Sequence, residues 1–201
     1  MKYPENINAG SMEVAVYGIY GFNKGATYRL PMISYFLKNS YKTLLDVSCG
    51  CSGTSKYYRW KGFDVTTTEY DDELIKNSID LGFPCSKVDL NNKKLPFKDN
   101  SFDVVTISEV LEHLKYPKEI VEEAYRVAKY VVIITTPVGK SYIADDHLHF
   151  WYSGKELEEN LLSDINGVKY ITSFVTVPQD FERVARSFII TLYKDEVKEW
   201  N

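Results

Sequence analysis

The chain has 201 residues, a formal charge of −4, 44% hydrophobic and 26% charged residues. That balance excludes intrinsic disorder and collagen-like repeats, and the length suits one domain with a substantial core. A net negative charge argues against a broad basic surface for nucleic acid, and no apolar run approaches the roughly 18–20 residues of a bilayer span.

The three cysteines, two of them in one turn (Cys49 and Cys51), make no disulfide framework. The start, Met1 to Asn6, has neither an apolar segment nor a cleavage-site pattern. The chain therefore reads as a cytoplasmic protein.

The lead contains Gly10, Gly18, Gly21 and Gly25 with several aromatics, and reads as a loosely ordered segment or lid. From Tyr28, Leu30, Ile33, Phe36 and Leu37 recur at helical spacing, with Pro31 suited to the first turn. Thr43 to Val47 reads as a strand, followed by a turn and a helix around Ser55 to Lys61. Asp64 to Glu69 is a β-branched strand, and Asp71 or Asp72 caps a helix through Leu81 that Gly82 closes. Cys85 to Leu90 and Phe102 to Ile107 read as the third and fourth strands.

Pro117 starts a helix whose stripe is Ile120, Val121, Ala124, Val127 and Ala128, while Glu119, Glu122 and Glu123 read as its solvated face. Tyr130 to Thr136 is a fifth strand, and Ser153 with Glu156 fits a capping box for a helix through Leu162. Val168 to Val177 and Arg183 to Tyr193 read as an antiparallel pair at one end of the sheet. Strand–helix alternation over the rest implies parallel strands with helices on both faces. Ligands of such sheets bind outside the carboxyl ends of the strands, where strand order reverses.

Three of those strand ends are acidic. The first runs into Asp46-Val47-Ser48-Cys49-Gly50-Cys51-Ser52-Gly53, a small-residue turn that lets backbone approach a ligand. Glu69, at the end of the second, can hold both hydroxyls of a ribose. Asp89, at the third, can accept from the exocyclic amine of adenine, with Val88 and Leu90 sandwiching the ring. Cys49 and Cys51 read as small residues of a tight turn rather than a metal pair or a nucleophile.

This order and spacing resembles the class I S-adenosylmethionine-dependent methyltransferases, in particular the type 11 small-molecule group, over roughly Leu44 to Leu162. Leu44 to Gly53 is similar to the family's first motif and Val65 to Glu69 to its second. Leu95-Pro96-Phe97-Lys98-Asp99-Asn100-Ser101-Phe102-Asp103-Val104-Val105 and Ser108-Glu109-Val110-Leu111-Glu112-His113-Leu114 continue the match. The resemblance implies a Rossmann-like α/β fold with a seven-stranded, mostly parallel sheet, helices on both faces and an antiparallel C-terminal hairpin. It implies S-adenosylmethionine as cofactor and a small-molecule acceptor (a sugar, polar metabolite or lipid head group).

The implied cofactor contacts are Asp46, Ser48, Cys49, Gly50, Glu69, Tyr70, Asp89, Leu90 and Ser108. Ser48 and Ser52 stand where the family usually has glycine, so the cofactor loop is expected to follow an altered path or to bind the cofactor more weakly, with Gly53 supplying freedom. The candidate bases are Glu109, His113, His147 and His149, the histidines all falling in loops on the ligand side of the sheet. Tyr17, Tyr20, Phe22 and Trp151 are candidates for closing over cofactor or acceptor, since an aromatic face favours a sulfonium. A metal held by Asp145, His147 and His149 is conceivable from that loop, but no metal is assigned.

The domain reading is a single unit: a lead segment and helix over 1–40, a cofactor-binding core over 41–163 and a terminal hairpin over 164–201. Methylation of RNA or protein and a non-catalytic binding role remain the alternatives. A different dinucleotide enzyme is disfavoured, because G-x-G-x-x-G is absent.

Overall fold

The computed structural model describes residues 24–140, 146–178 and 184–194. Tyr17, Tyr20, Phe22 and Asp145 lie outside the described residues.

Seven strands form one sheet in the order β3-β2-β1-β4-β5-β7-β6. They are β1 (Thr43–Val47), β2 (Asp64–Glu69), β3 (Cys85–Lys87), β4 (Phe102–Ser108), β5 (Ala128–Pro137), β6 (Lys169–Pro178) and β7 (Val184–Tyr193). The first five pair in parallel. Strand β7 runs antiparallel to both β5 and β6, which makes the expected reversed hairpin, with β6 at the edge. Among the described residues five α-helices accompany the sheet: α1 (Lys24–Tyr35), α2 (Gly53–Trp60), α3 (Asp72–Asp80), α4 (Pro117–Val127) and α5 (Gly154–Leu161). Strand order reverses at β1, whose neighbours are β2 on one side and β4 on the other.

The strand pleat sends successive side chains to opposite faces and so builds two cores. Leu45, Val105, Ile107, Val132 and Ile134 pack with Ile120, Val121, Ala124 and Val127 of α4 and Leu157 and Leu161 of α5. Leu44, Val104, Val131 and Ile133 pack with Leu30 and Ile33 of α1 and Tyr58 of α2. Near-continuous aliphatic runs in β4 and β5 follow from burial on both faces.

Three local expectations change. Helix α1 begins at Lys24, so Pro31 lies inside it rather than in the first turn. Strand β3 is short because Asp89 turns the chain, its carboxylate accepting from the Asn91 N–H (2.9 Å) to cap a 3-10 turn at Leu90–Asn92. Ala128 opens β5 instead of extending the stripe of α4.

Glu123 is not part of a solvated face. Its carboxylate accepts from the Leu95 N–H (2.9 Å) and from Arg126 Nη2 (2.6 Å). Arg126 also donates to the Phe97 carbonyl (2.9 Å), the Leu95 carbonyl (3.2 Å) and Asp99 (2.7 Å). The planar guanidinium thereby clamps the Leu95–Asp99 segment, which leads into β4, onto the last turn of α4. Arg126→Ala should cost about 2 kcal/mol by denaturant unfolding, because it removes the cation from Glu123 and Asp99 and the donor from two carbonyls. Arg126→Lys should recover only part of that, since one ammonium cannot span the same acceptors.

Candidate active site

The site starts from a buried carboxylate. Asp46, near the end of β1, accepts from the hydroxyls of Thr54 (2.9 Å), Ser55 (2.6 Å) and Thr106 (3.0 Å). Burial raises its pKa, and the three hydroxyls oppose that rise. Those bonds fix the start of α2 and the middle of β4 against β1.

Between β1 and α2 the chain turns through three residues in the left-handed region: Ser48 (φ 55°), Gly50 (φ 54°) and Ser52 (φ 60°). Gly53 is simply the first residue of α2, so the freedom the turn needs is not supplied there but taken by the serines themselves. The turn is tied back to β2. Ser48 N–H donates to the Thr68 hydroxyl (3.1 Å), Cys49 N–H to the Thr68 carbonyl (2.9 Å) and Gly50 N–H to Glu69 (2.8 Å). Burial first, then the charge of Asp46, push the Cys49 thiol up to about 12, so it is an uncharged packing group at neutral pH.

Glu69 is buried, and its other oxygen accepts from the Tyr70 N–H (2.7 Å). The Asp71 N–H also reaches that oxygen, at 3.5 Å, so the free lone pair of the carboxylate is on Oε2, which accepts only from Gly50. A cavity of about 680 Å³ opens over these strand ends, and Glu69, Tyr70, Val88, Asp89 and Leu90 line one end of it. This size is ordinary for a site that encloses a small ligand or cofactor.

The opposite end is walled by Arg29, Ser108, Glu109, His113 and Asp146. Glu109 sits at the tip of β4 in a left-handed conformation (φ 54°), a strain typical of functional positions. Arg29, buried on α1, approaches Glu109 Oε2 at 3.6 Å, while Glu109 Oε1 is buried with no hydrogen-bond partner among the described residues. A 3-10 turn at Leu111–His113 then presents Glu112 and His113. Glu112 is pushed up to about 8, by burial foremost and then by the charge of Glu109. His113 Nδ1 lies 3.1 Å from Asp146, and the His113 and His147 rings meet edge to face at 4.7 Å. Burial, with His113 as second cause, lowers the His147 pKa and favours its neutral form.

All nine expected cofactor contacts, Asp46, Ser48, Cys49, Gly50, Glu69, Tyr70, Asp89, Leu90 and Ser108, line this one cavity, and so do Glu109 and His113. His147 stands behind His113. His149 and Trp151 stand apart. His149 Nε2 donates to the Leu114 carbonyl (2.9 Å), which fixes its proton there, and the ring stacks on Trp151 at 5.5 Å. Trp151 is a buried core residue, 3% exposed, so it does not close over the cavity. Two residues escaped the sequence reading. Arg29 left one signal, a lone cation in the apolar stripe of the lead helix. Glu112 was hidden in a motif quoted whole.

Strand order and the turn over the acidic strand ends give the chain a Rossmann-like methyltransferase fold. Residues 45–132, a little under half of the chain, match the methyltransferase-domain family of type 11. Demethylmenaquinone methyltransferase of Renibacterium salmoninarum is 33% identical over 106 residues, 51% of this chain and 40% of that protein. The ubiquinone/menaquinone biosynthesis C-methyltransferase UbiE of Rickettsia felis is 29% identical over 133 residues, 58% of this chain and 54% of its own length. The chain thus spans about half, or less, of the curated relatives it matches. The crystal structure of a SAM-dependent methyltransferase from Archaeoglobus fulgidus superposes with a TM-score of 0.64 at 17% identity, over 90% of this chain and 99% of that one. That likeness shows the fold.

The cofactor of the family is S-adenosylmethionine, and the residues present fit it. Glu69 and Asp89 line one end of the cavity with the acceptors that ribose hydroxyls and an adenine amine need, and the orphaned Glu109 Oε1 offers an acceptor to an ammonium. The two serines are the departure. A left-handed torsion costs a non-glycine residue on the order of 1 kcal/mol, so Ser48→Gly should raise the unfolding free energy by about that amount. An unchanged or lower stability would mean that the serine is not strained.

Proposed function

We propose that this chain transfers a methyl group from S-adenosylmethionine to a small-molecule acceptor. The observation that carries this reading is the single cavity whose one end is nucleoside-like in its acceptors, while the other gathers Arg29, Glu109, His113 and Asp146. The quinone-related names of the two curated relatives support a small acceptor.

When bound, the cofactor supplies an electrophilic sulfonium methyl. The chain's own residues do the rest. Glu69 would accept from the ribose hydroxyls, chiefly through the Oε2 lone pair that Gly50 leaves open. Asp89 accepts from the adenine amine, with Val88 and Leu90 against the ring. Glu109 Oε1 receives the ammonium of the methionine end, and Arg29 holds the other oxygen of that carboxylate in place. By holding both ends of the cofactor, these residues would align its methyl with an acceptor at the Arg29–His113 end, and alignment is the protein's main share of the rate. The acceptor's proton leaves at the group formed by His113, His147 and Asp146, which stand together at that end.

Transfer of isotopically labelled methyl to a panel of hydroxylated and quinol acceptors tests the reading, with RNA and protein as parallel acceptors. Label in a small molecule is the expected result. Label only in RNA or protein, or cofactor binding without turnover on any acceptor, contradicts it. Glu69→Ala should weaken S-adenosylhomocysteine binding by about tenfold to a hundredfold in calorimetry, the equivalent of one or two charge-assisted hydrogen bonds.

A further inference from the structure

Three ligand-type side chains meet at the acceptor end, where the two loops that follow β4 and β5 touch. Glu112, His113 and His147 each offer one donor atom, and the three atoms lie within 4.8 Å of one another. An ion with bonds of about 2.0–2.2 Å needs its ligands roughly 3–4 Å apart, so the three would close in by an ångström or so.

The surroundings are built rather than accidental. The Glu112 carbonyl accepts from the backbone N–H groups of both Leu148 (2.7 Å) and His149 (3.2 Å), which pins the loop carrying His147 beside the 3-10 turn. The Thr136 hydroxyl donates to Glu112 Oε2 (3.1 Å) and orients the carboxylate, whose side chain is only 2% exposed. Supports of this kind hold the ligands of metal centres in place. Nδ1 of His113 and Nδ1 of His147 are both buried without a hydrogen-bond partner among the described residues. Buried polar atoms of native proteins are nearly always satisfied, so the orphaned His147 nitrogen, beside a His113 Nδ1 that faces only the Asp146 carboxylate, points to a missing electrophile. Asp146, 3.1 Å from His113 Nδ1, adds a carboxylate at the rim.

We propose that Glu112, His113 and His147 bind a divalent first-row transition-metal ion that presents an acceptor hydroxyl to the methyl group. Two imidazoles and a carboxylate, with no thiolate, suit zinc, manganese, iron or cobalt rather than magnesium or calcium. This use of the ion rests on the methyltransferase reading and names its acceptor class: a compound with a metal-binding hydroxyl, such as a hydroquinone or a diol. Coordination lowers the hydroxyl pKa, and the proton leaves to Asp146 or to water. The oxygen lone pair then forms the new O–C bond as the S–C bond breaks, and that bond's electrons stay on sulfur as a neutral thioether. His113 and His147 are accordingly ligands, and the base of the reaction lies beyond them.

The test uses the full chain, stripped with a chelator and titrated calorimetrically with Mn²⁺ and Zn²⁺, with Co²⁺ followed by its visible absorption. One ion per chain is expected, bound more weakly by over about a hundredfold in His147→Ala and in His113→Ala. Both variants should keep the parent's melting temperature within a few degrees in chelator, which separates ligand loss from unfolding. No stoichiometric ion, or binding undiminished in both variants, overturns the proposal. S-adenosylhomocysteine titrated into the stripped chain separates the two readings. Cofactor binding without metal binding defeats only the metal site, and metal binding without cofactor binding defeats the methyltransferase reading while leaving the site.

Discussion

The cage of hydroxyls around Asp46 is the contact on which the rest of the site depends. Three side chains from α2 and β4 donate to one carboxylate that has almost no access to water. A buried carboxylate is costly unless its lone pairs are filled, so the charge enforces the geometry around it. That geometry brings the start of α2 over the end of β1 and leaves the chain only five residues, Ser48 to Ser52, to make the connection. The left-handed torsions of the two serines follow from that short span. So does the hold that Thr68 and Glu69 keep on the turn's amides.

From there the parallel sheet does the gathering. Strands that run the same way put their carboxyl ends on one edge, so Glu69, Asp89 and Glu109 converge although up to 40 residues separate them in sequence. Helix α1 adds Arg29 from outside the alternating units, and its charge compensates Glu109 where two carboxylates crowd together. The Arg29–His113 end of the cavity is thus assembled from a lead helix and two loops, and on the proposed function those pieces would set the acceptor while the strand ends hold the cofactor.

Much of this was legible in the sequence because the signals were local. Strand–helix alternation gave the sheet. The β-branched run Val65 to Thr68 and the Asp71 cap fell where expected, since both depend on neighbours only a few residues away. The acidic strand ends were readable because position in a strand fixes which end of the sheet a residue reaches. What could not be read depended on partners far along the chain. Glu123 looked like one more charge on a helix face until Leu95 and Arg126 closed around it. His147 and His149 looked equivalent, two residues apart. Only the packing of Trp151 and the Leu114 carbonyl turns one away while the other meets His113. Trp151 itself, an aromatic in a loop near the site, carried no mark of its place in the core.

If the strand ends, held by Asp46 and the serine turn, form the cofactor site, a crystal structure with S-adenosylhomocysteine bound will have ribose hydroxyls on Glu69, the adenine amine on Asp89, the ammonium at Glu109 and the sulfur facing His113. A cofactor bound elsewhere, or lying in the cavity with its ribose away from Glu69, would contradict it.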